Sequence, residues 1–272
     1  MSIRDHIATD LVVSPLGADA REMIDVARCA EDAGYDGVWT LDHFSGTMLD
    51  RPWSRELFAL LGGFAVATSE IRIGSLVANM VNRHPSLLAS AASTLQSMTG
   101  GRAVLGVGSG AAPGSRFAAE QDAIGRELGD GSARRRHLRE TVEAVRSIWE
   151  GRPDFDGEFV QHDGLAGVVG PEPIPPIVIG ASGPLTIALA CEIADGVNIR
   201  VSESTGELIT RARSLAAGRA FELSVHDSLL LDHHAGGEVD AWVDLGVHRR
   251  TLTVVPPFDL HAIATIGAQL TA

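Results

Sequence analysis

Polar or glycine-rich clusters follow four runs of β-favouring residues in this sequence. They are Asp42-His43, residues 75–79, the GVGSG run at 106–110 and the GASGP run at 180–184. A histidine beside a carboxylate is suited to general acid–base chemistry. Because glycine has no Cβ atom, it lets the backbone approach a neighbouring group closely. A glycine-rich turn at the start of a helix also offers free N–H groups to an anion. Each cluster by itself could be an ordinary turn between a strand and a helix.

The elements around these clusters alternate between strand and helix. Residues 134–150 form the clearest helix, with apolar residues on one stripe. Asp156-Gly157 predicts a small inserted hairpin, and residues 236–245 allow only a short seventh helix, which makes the C-terminal third compact. Strands are predicted at residues 10–14, 36–41, 71–77, 103–107, 177–180, 196–200, 222–231 and 251–255. Eight strands, each followed by a helix, predict an α/β fold of the (β/α)₈ TIM-barrel type, as a single domain over residues 1–272.

In such a barrel the carboxyl ends of the strands meet at one rim, where chemistry gathers. The four clusters all fall at that rim. The run at 180–184 is the best phosphate candidate, because the N–H groups of Ala181, Ser182 and Gly183 would lie at a helix N-terminus with the positive end of the dipole behind them.

Composition limits the class of partner. A net charge of −13 argues against nucleic acid and anionic membranes, which both need a basic face, and no apolar run is long enough to span a membrane. Two lone cysteines within predicted helices and no secretory N-terminus predict a cytoplasmic protein. The chain contains no lysine, which excludes Schiff-base chemistry and a Walker P-loop.

A metal site is not predicted. His233 and His234 are adjacent in a predicted loop, whereas barrels that bind metal through paired histidines place them one residue apart on a strand. We interpret this pair as solvated polar surface.

Longer segments resemble a known family. They are AGYDGVWTLDHF from Ala33, the block from Ile71 to Gly110, LRETVEAVRSIWEG from Leu138 and PPIVIGASGPLTIALACEIADGVNIR from Pro175. Together they resemble the bacterial luciferase-like superfamily of flavin and deazaflavin barrels, and within it the oxidoreductases that use coenzyme F-420. The resemblance covers roughly residues 20–200 and fades beyond Arg200 to the general form of a barrel.

The resemblance implies a role for each cluster. Asp42 and His43 would be catalytic, with His43 as the proton donor or acceptor that partners hydride transfer; a histidine that only caps the loop is the alternative. Ser75-Leu76 would be a non-prolyl cis peptide, with Leu76 supporting the cofactor ring from behind. The other cofactor-binding residues that the resemblance implies are Asn79 at the rim, Gly108, Ser109 and Gly110 beside the ring and its tail, and Ala181, Ser182 and Gly183 around the phosphate.

Two departures from the sugar-phosphate dehydrogenase branch of that family bear on the substrate. Phe44 is followed by Ser45 and Gly46 where that branch has a tryptophan nearby, and Ala111 stands where it has a glutamate. Glucose-6-phosphate chemistry is therefore not expected, and any second acid must come from elsewhere.

The resemblance thus predicts an enzyme that moves a hydride between coenzyme F-420 and a small organic substrate that the sequence does not identify. The chain would act as a monomer or a homodimer. One alternative is the same fold using FMN and oxygen as a monooxygenase. Another alternative is a non-catalytic flavin-binding barrel, which the absence of the glutamate favours.

Overall fold

A closed ring of parallel strands forms the centre of the protein. The computed structural model describes residues 7–230 and 239–271. Its strands are β1 (Ala8–Val13), β2 (Gly37–Thr40), β3 (Arg72–Ser75), β4 (Ala78–Asn79), β5 (Ala103–Gly108), β6 (Phe155–Asp156), β7 (Gln161–His162), β8 (Ile177–Ala181), β9 (Gly196–Arg200), β10 (Glu222–Leu230) and β11 (Arg249–Val254). The ring runs β1, β2, β3, β5, β8, β9, β10 and β11 and closes from β11 to β1, with β4 continuing the position of β3. The predicted (β/α)₈ barrel is confirmed.

Helices surround the ring and connect its strands. They are α1 (Ala20–Asp32), α2 (Leu57–Ala67), α3 (Pro85–Thr99), α4 (Ala119–Ala123), α5 (Gly131–Trp149), α6 (Pro184–Ile193), α7 (Thr205–Leu215), α8 (Val239–Asp244) and α9 (Leu260–Thr271). Their boundaries follow local chemistry, because Asp19 and Asp130 accept N–H groups at the starts of α1 and α5 and Gly100 ends α3 with a φ of 63°.

Two smaller predictions concern the chain after α5. The predicted hairpin is confirmed, since β6 and β7 pair antiparallel, with Asp156 opposite Gln161. The short helix predicted within 236–245 is present as α8, although residues 236–238 lie outside the described residues. His233 and His234 also lie outside them, so their predicted surface position stays a prediction.

The interior of the barrel is filled by an apolar plug. It consists of Val12, Trp39, Leu76, Val104 and Val178, all buried. Below it, the Trp39 Nε1–H group donates to the buried carboxylate of Asp10 at 2.9 Å, and Arg249 also donates to that carboxylate. Because the plug closes the centre of the barrel, a ligand can enter only the space above it, at the C-terminal rim.

The third strand position is interrupted between β3 and β4. Gly74 pairs with Val104 and Ala78 pairs with Val107, so three residues, 75–77, stand opposite two, 105 and 106. The predicted cis peptide at Ser75-Leu76 is wrong by one bond, because the cis bond joins Leu76 to Val77.

Hydrogen bonding accounts for the different position of Ser75. The Ser75 hydroxyl donates to the carbonyl oxygen of Gly106 at 2.7 Å and accepts the N–H of Gly106 at 3.0 Å. The side chain thereby replaces the backbone pairing that the interruption removes, and it holds Ser75 within the strand layer.

The glycines of the GVGSG run make room for this interruption. A Cβ atom on Gly106 would lie 1.9 Å from the Ser75 carbonyl oxygen, and one on Gly108 would lie 2.4 Å from a methyl group of Val77. The same construction on Gly110 meets Val81 at 2.7 Å. The group that the backbone of these glycines approaches closely is therefore the neighbouring segment of the chain, around residues 75–81. This segment also borders the cleft at the rim.

We expect Gly108→Ala to lower the free energy of unfolding by about 1–3 kcal/mol, the usual cost of forcing an extra carbon into a packed site. Gly206→Ala is the matched control, because a Cβ atom there meets nothing within 4 Å. Urea unfolding of both variants measures the difference, and equal stability of the two would contradict the packing account of Gly108.

Candidate functional site

A cleft of about 510 Å³ opens at the C-terminal rim above the plug. Most of the predicted site residues line it: Asp42, His43, Leu76, Asn79, Gly108, Ser109, Gly110, Ala181 and Ser182. Ser75 and Gly183 are the exceptions. Ser75 is buried in the strand layer beside Gly106, and Gly183 lies just behind the lining, at the start of α6. The structure therefore brings together at one rim clusters that are far apart in the sequence.

His43 is oriented by a buried glutamate. Its Nδ1 atom lies 2.7 Å from Oε1 of Glu120, a residue that is only 3% exposed. The other carboxylate oxygen of Glu120 accepts the backbone N–H groups of Phe44 at 3.1 Å and Ser45 at 3.2 Å. Because an ionised carboxylate only accepts hydrogen bonds, Nδ1 of His43 carries a hydrogen and Nε2 is left as the nitrogen that can exchange a proton in the cleft.

The charge of Glu120 is maintained by these contacts. Burial alone would raise its pKa, but the hydrogen bond and charge of His43 and the N–H group of Ser45 outweigh burial and lower the pKa below its ordinary value. The carboxylate therefore stays ionised at neutral pH and stabilises any positive charge that forms on the imidazole.

Sequence reasoning did not find Glu120. It lies in the short helix α4, further along the loop after β5 than Ala111, where the acid of the sugar-phosphate branch was sought. The surrounding segment, FAAEQDAIG, has no motif that separates this acid from its neighbours. Glu120 can be recognised only because the loop folds back onto His43. It is a candidate for the second acid, whose position the sequence did not identify.

We expect Glu120→Gln to lower turnover about tenfold. Both carboxylate oxygens accept hydrogen bonds here, and an amide must turn its NH₂ group towards donors on one side or the other, which disturbs His43. Glu127→Gln, which replaces an exposed acid further along the same loop, provides the comparison in steady-state kinetics. A Glu120→Gln rate equal to that of the wild type would show that His43 needs no carboxylate partner.

Both carboxylate oxygens of Asp42 accept hydrogen bonds from neighbouring residues, unlike a group that is left to exchange a proton. One of its oxygens accepts the N–H of Asn79 at 2.8 Å and Nε of Arg83 at 3.0 Å, and the other accepts Nη2 of Arg83 at 2.8 Å. Arg83 also pairs with Glu56 at 2.7 Å. These contacts tie the end of β2 to the loop after β4, so the geometry favours a positioning role for Asp42 over its predicted catalytic role.

The start of α6 is available to an anion. Gly183 is its N-cap residue and contributes no side-chain hydrogen bond, and a Cβ atom on it would meet nothing within 4 Å. Ser182 and Thr186 line the cleft beside this helix end. A helix start offers free N–H groups and the positive end of the helix dipole, so the GASGP run is placed beside the cleft, and its role in binding phosphate stays a prediction.

Two arginines add positive charge to the same side of the cleft. Arg134 and Arg200 both line it, and Nη1 of Arg134 donates to the carbonyl oxygen of Gly110 at 3.0 Å. A local anion site is therefore compatible with the strongly acidic composition of the chain.

The remaining walls of the cleft differ in polarity. Leu41, Leu76 and Val77 form an apolar wall after β2 and β3, whereas Asn198, Arg200 and His226 form a polar wall on β9 and β10. A flat ring with one polar edge matches this division.

The described residues contain neither a metal-binding cluster nor a membrane-spanning helix. In residues 7–230 and 239–271, no three His, Cys, Asp or Glu side chains are grouped so that they could hold a metal ion. Over the same ranges, the helices are too short or too polar to cross a membrane.

The fold and the rim cleft define a class of protein that sequence comparison identifies. Residues 2–227 match the family described as luciferase-like monooxygenase, and the chain belongs to this family. The predicted resemblance to the luciferase-like superfamily is confirmed.

Two curated relatives are similar over much of the chain. A 5,10-methylenetetrahydromethanopterin reductase of Archaeoglobus fulgidus is 35% identical over 176 residues, which are 64% of this chain and 48% of that protein. An F420-dependent glucose-6-phosphate dehydrogenase of Nakamurella multipartita is 33% identical over 177 residues, 64% of this chain and 50% of that protein. The chain thus spans about half the length of the curated relatives it matches.

A solved structure shares the whole fold. An F420-dependent secondary alcohol dehydrogenase, in complex with an F420-acetone adduct, superposes with a TM-score of 0.80 over 96% of this chain and 97% of that one, at 19% identity. At this identity the likeness concerns the fold alone.

Proposed function

We propose that this chain binds coenzyme F-420 and catalyses hydride transfer between the cofactor and a small organic substrate. The observation that carries the proposal is the His43–Glu120 pair, which presents Nε2 of His43 to a cleft with an anion site on its far side. Two curated relatives whose names specify F-420 or a pterin reductase support the oxidoreductase class.

The residues of the cleft fit such a cofactor. Its phosphate would lie at the start of α6, near Ser182 and Thr186, and its ring would lie against the apolar wall of Leu76 and Val77. When bound, the deazaflavin supplies or accepts the hydride at its C5 atom.

The residues of the chain would hold the reactants and move the proton. Nε2 of His43 gives a proton to the substrate oxygen or takes one from it, according to the direction of the reaction. Glu120 keeps the imidazole in the required orientation and stabilises its charged form. Asp42, through Arg83 and Asn79, fixes the loop that borders the cleft. The plug below excludes water from the floor.

FMN remains the alternative cofactor. It carries a similar tricyclic ring and a ribityl phosphate, so the anion site and the apolar wall would accept it as well. The name of the Nakamurella multipartita relative specifies F-420, and we therefore place the monooxygenase function second. We place a non-catalytic barrel last, because it would make no use of Nε2 of His43, which the pair with Glu120 leaves for proton exchange in the cleft.

Cofactor titration tests this proposal. Trp39 lies in the plug directly below the cleft, so its fluorescence should report binding. We expect coenzyme F-420 to bind in the micromolar range and FMN more weakly, and we expect turnover of F-420 with at least one member of a panel of alcohols, carbonyl compounds and activated alkenes. Tighter binding of FMN would move the protein to the monooxygenase function, and binding of neither would overturn the proposal.

A further inference from the structure

His226 is a cleft residue that the proposed chemistry does not use. It lies on β10 in register with Arg200 on β9, and both side chains belong to the polar wall. His226 lies near the end of the segment that matches the family, residues 2–227, and outside every motif singled out in the sequence.

The hydrogen bonds around His226 favour one position for the hydrogen of its ring. Thr253 has a single hydroxyl hydrogen, which it donates to the carbonyl oxygen of Asp227 at 3.0 Å. Nε2 of His226 lies 3.1 Å from that hydroxyl oxygen, so both hydrogen bonds form together when the hydroxyl accepts from Nε2. In that arrangement Nε2 is the N–H donor, and in a neutral imidazole Nδ1 is then a pure acceptor. None of the described residues donates a hydrogen bond to Nδ1.

The environment keeps this imidazole neutral. Burial, and then the positive charge of Arg200, lower the pKa of His226 to about 4, and the opposing effect of Asp227 is smaller. At neutral pH Nδ1 therefore carries a lone pair and no hydrogen. A donor group of a ligand can form a hydrogen bond to it.

We propose that Nδ1 of His226 accepts a hydrogen bond from a ring N–H of the bound cofactor, of the kind found on an imide edge, where an N–H lies between two carbonyl groups. Arg200, beside His226, offers the donors that a flanking carbonyl needs. An acceptor next to a donor is complementary to such an edge. The opposite wall, of Leu76 and Val77, offers no such pattern, so the pair also fixes which way round the ring enters.

This inference rests on the proposed function only in requiring a ring with an imide edge. Deazaflavin and flavin both have that edge, at N3. The test therefore uses each cofactor and its N3-methyl derivative as probes and measures affinity by fluorescence titration. The proteins compared are the wild type, His226→Ala and His261→Ala, a matched control on α9 outside the cleft lining.

We expect methylation of N3 to weaken binding to the wild type and to His261→Ala about tenfold, the effect of one lost hydrogen bond that leaves an acceptor unpaired. His226→Ala should bind the unmethylated ring about tenfold more weakly than the wild type and lose little more on methylation. A methylation penalty that is the same in His226→Ala as in the wild type would overturn the assignment while leaving the proposed function intact. Failure of the wild type to bind either ring would overturn both.

A second readout does not depend on affinity. Nitrogen NMR of the wild type should show His226 protonated at Nε2 alone, with its Nδ1 resonance shifting when the unmethylated ring binds and not when the methylated ring binds. Thr253→Val, which removes the acceptor for Nε2–H, should let the hydrogen occupy either nitrogen. A free protein with His226 protonated at Nδ1 would contradict the proposal.

Discussion

Replacing His43 with alanine is expected to lower turnover about 10²- to 10⁴-fold, the usual range for loss of a general acid or base. Glu120 holds Nδ1, so Nε2 is the nitrogen that can exchange a proton with a substrate in the cleft. Affinity for coenzyme F-420 should change little, because the proposed phosphate and ring contacts lie on other loops. Steady-state kinetics with a substrate identified by the panel, together with titration of the cofactor, separates the two quantities.

His84→Ala is the control for this experiment. His84 lies on the same face of the barrel, but its imidazole accepts the N–H of Ser86 at the start of α3 and does not line the cleft. An unchanged rate in His43→Ala would make His43 structural. A loss of cofactor affinity without an effect on the rate would instead assign it to binding.

Gly183→Asp is expected to weaken binding of coenzyme F-420 about 10²-fold while raising the stability of the free protein by about 0.5 kcal/mol. Gly183 is the N-cap residue of α6, its backbone is extended with a φ of −149°, and the space beside it is open. Aspartate fits that conformation before Pro184, and its carboxylate can accept the N–H groups that would otherwise face the phosphate. The variant thus removes donors from the ligand and adds a negative charge.

The opposite signs of the two effects make this variant diagnostic. Titration measures the affinity and thermal unfolding measures the stability. Gly183→Asn gives a cap of the same shape without the charge, and it should weaken binding less. A deazaflavin that lacks the phosphate should bind Gly183→Asp and the wild type equally. If it too binds the variant 10²-fold more weakly, the phosphate does not lie at the start of α6.

The sequence predicted the parts of this structure that depend on local patterns. Continuous apolar runs marked the buried strands, and the polar or glycine-rich turns that followed them marked the rim. Asp42, His43 and the GASGP run could be placed together because parallel strands bring their carboxyl ends to one edge. The alternation of strands and helices was enough for that argument.

The parts that the sequence did not predict depend on contacts between distant segments. Glu120 reaches His43 only because the loop after β5 folds back over the rim, and no spacing in the sequence encodes that path. The tie between Asp42 and Arg83 was missed for the same reason. The glycines of the GVGSG run were correctly taken as points of close approach, but the pattern cannot say whether a ligand or a neighbouring strand approaches.

The unequal register of the third strand has a consequence for how faces alternate along it. Up to Leu76, even-numbered residues point inwards, with Gly74 against Trp39 and Leu76 in the plug. After it, Ala78 packs in the outer core and Asn79 faces the cleft. One additional residue therefore exchanges the two faces of the strand partway along its length. Removing one residue between Leu76 and Asn79 would turn Asn79 towards the helices, so the length of this segment helps to define the site.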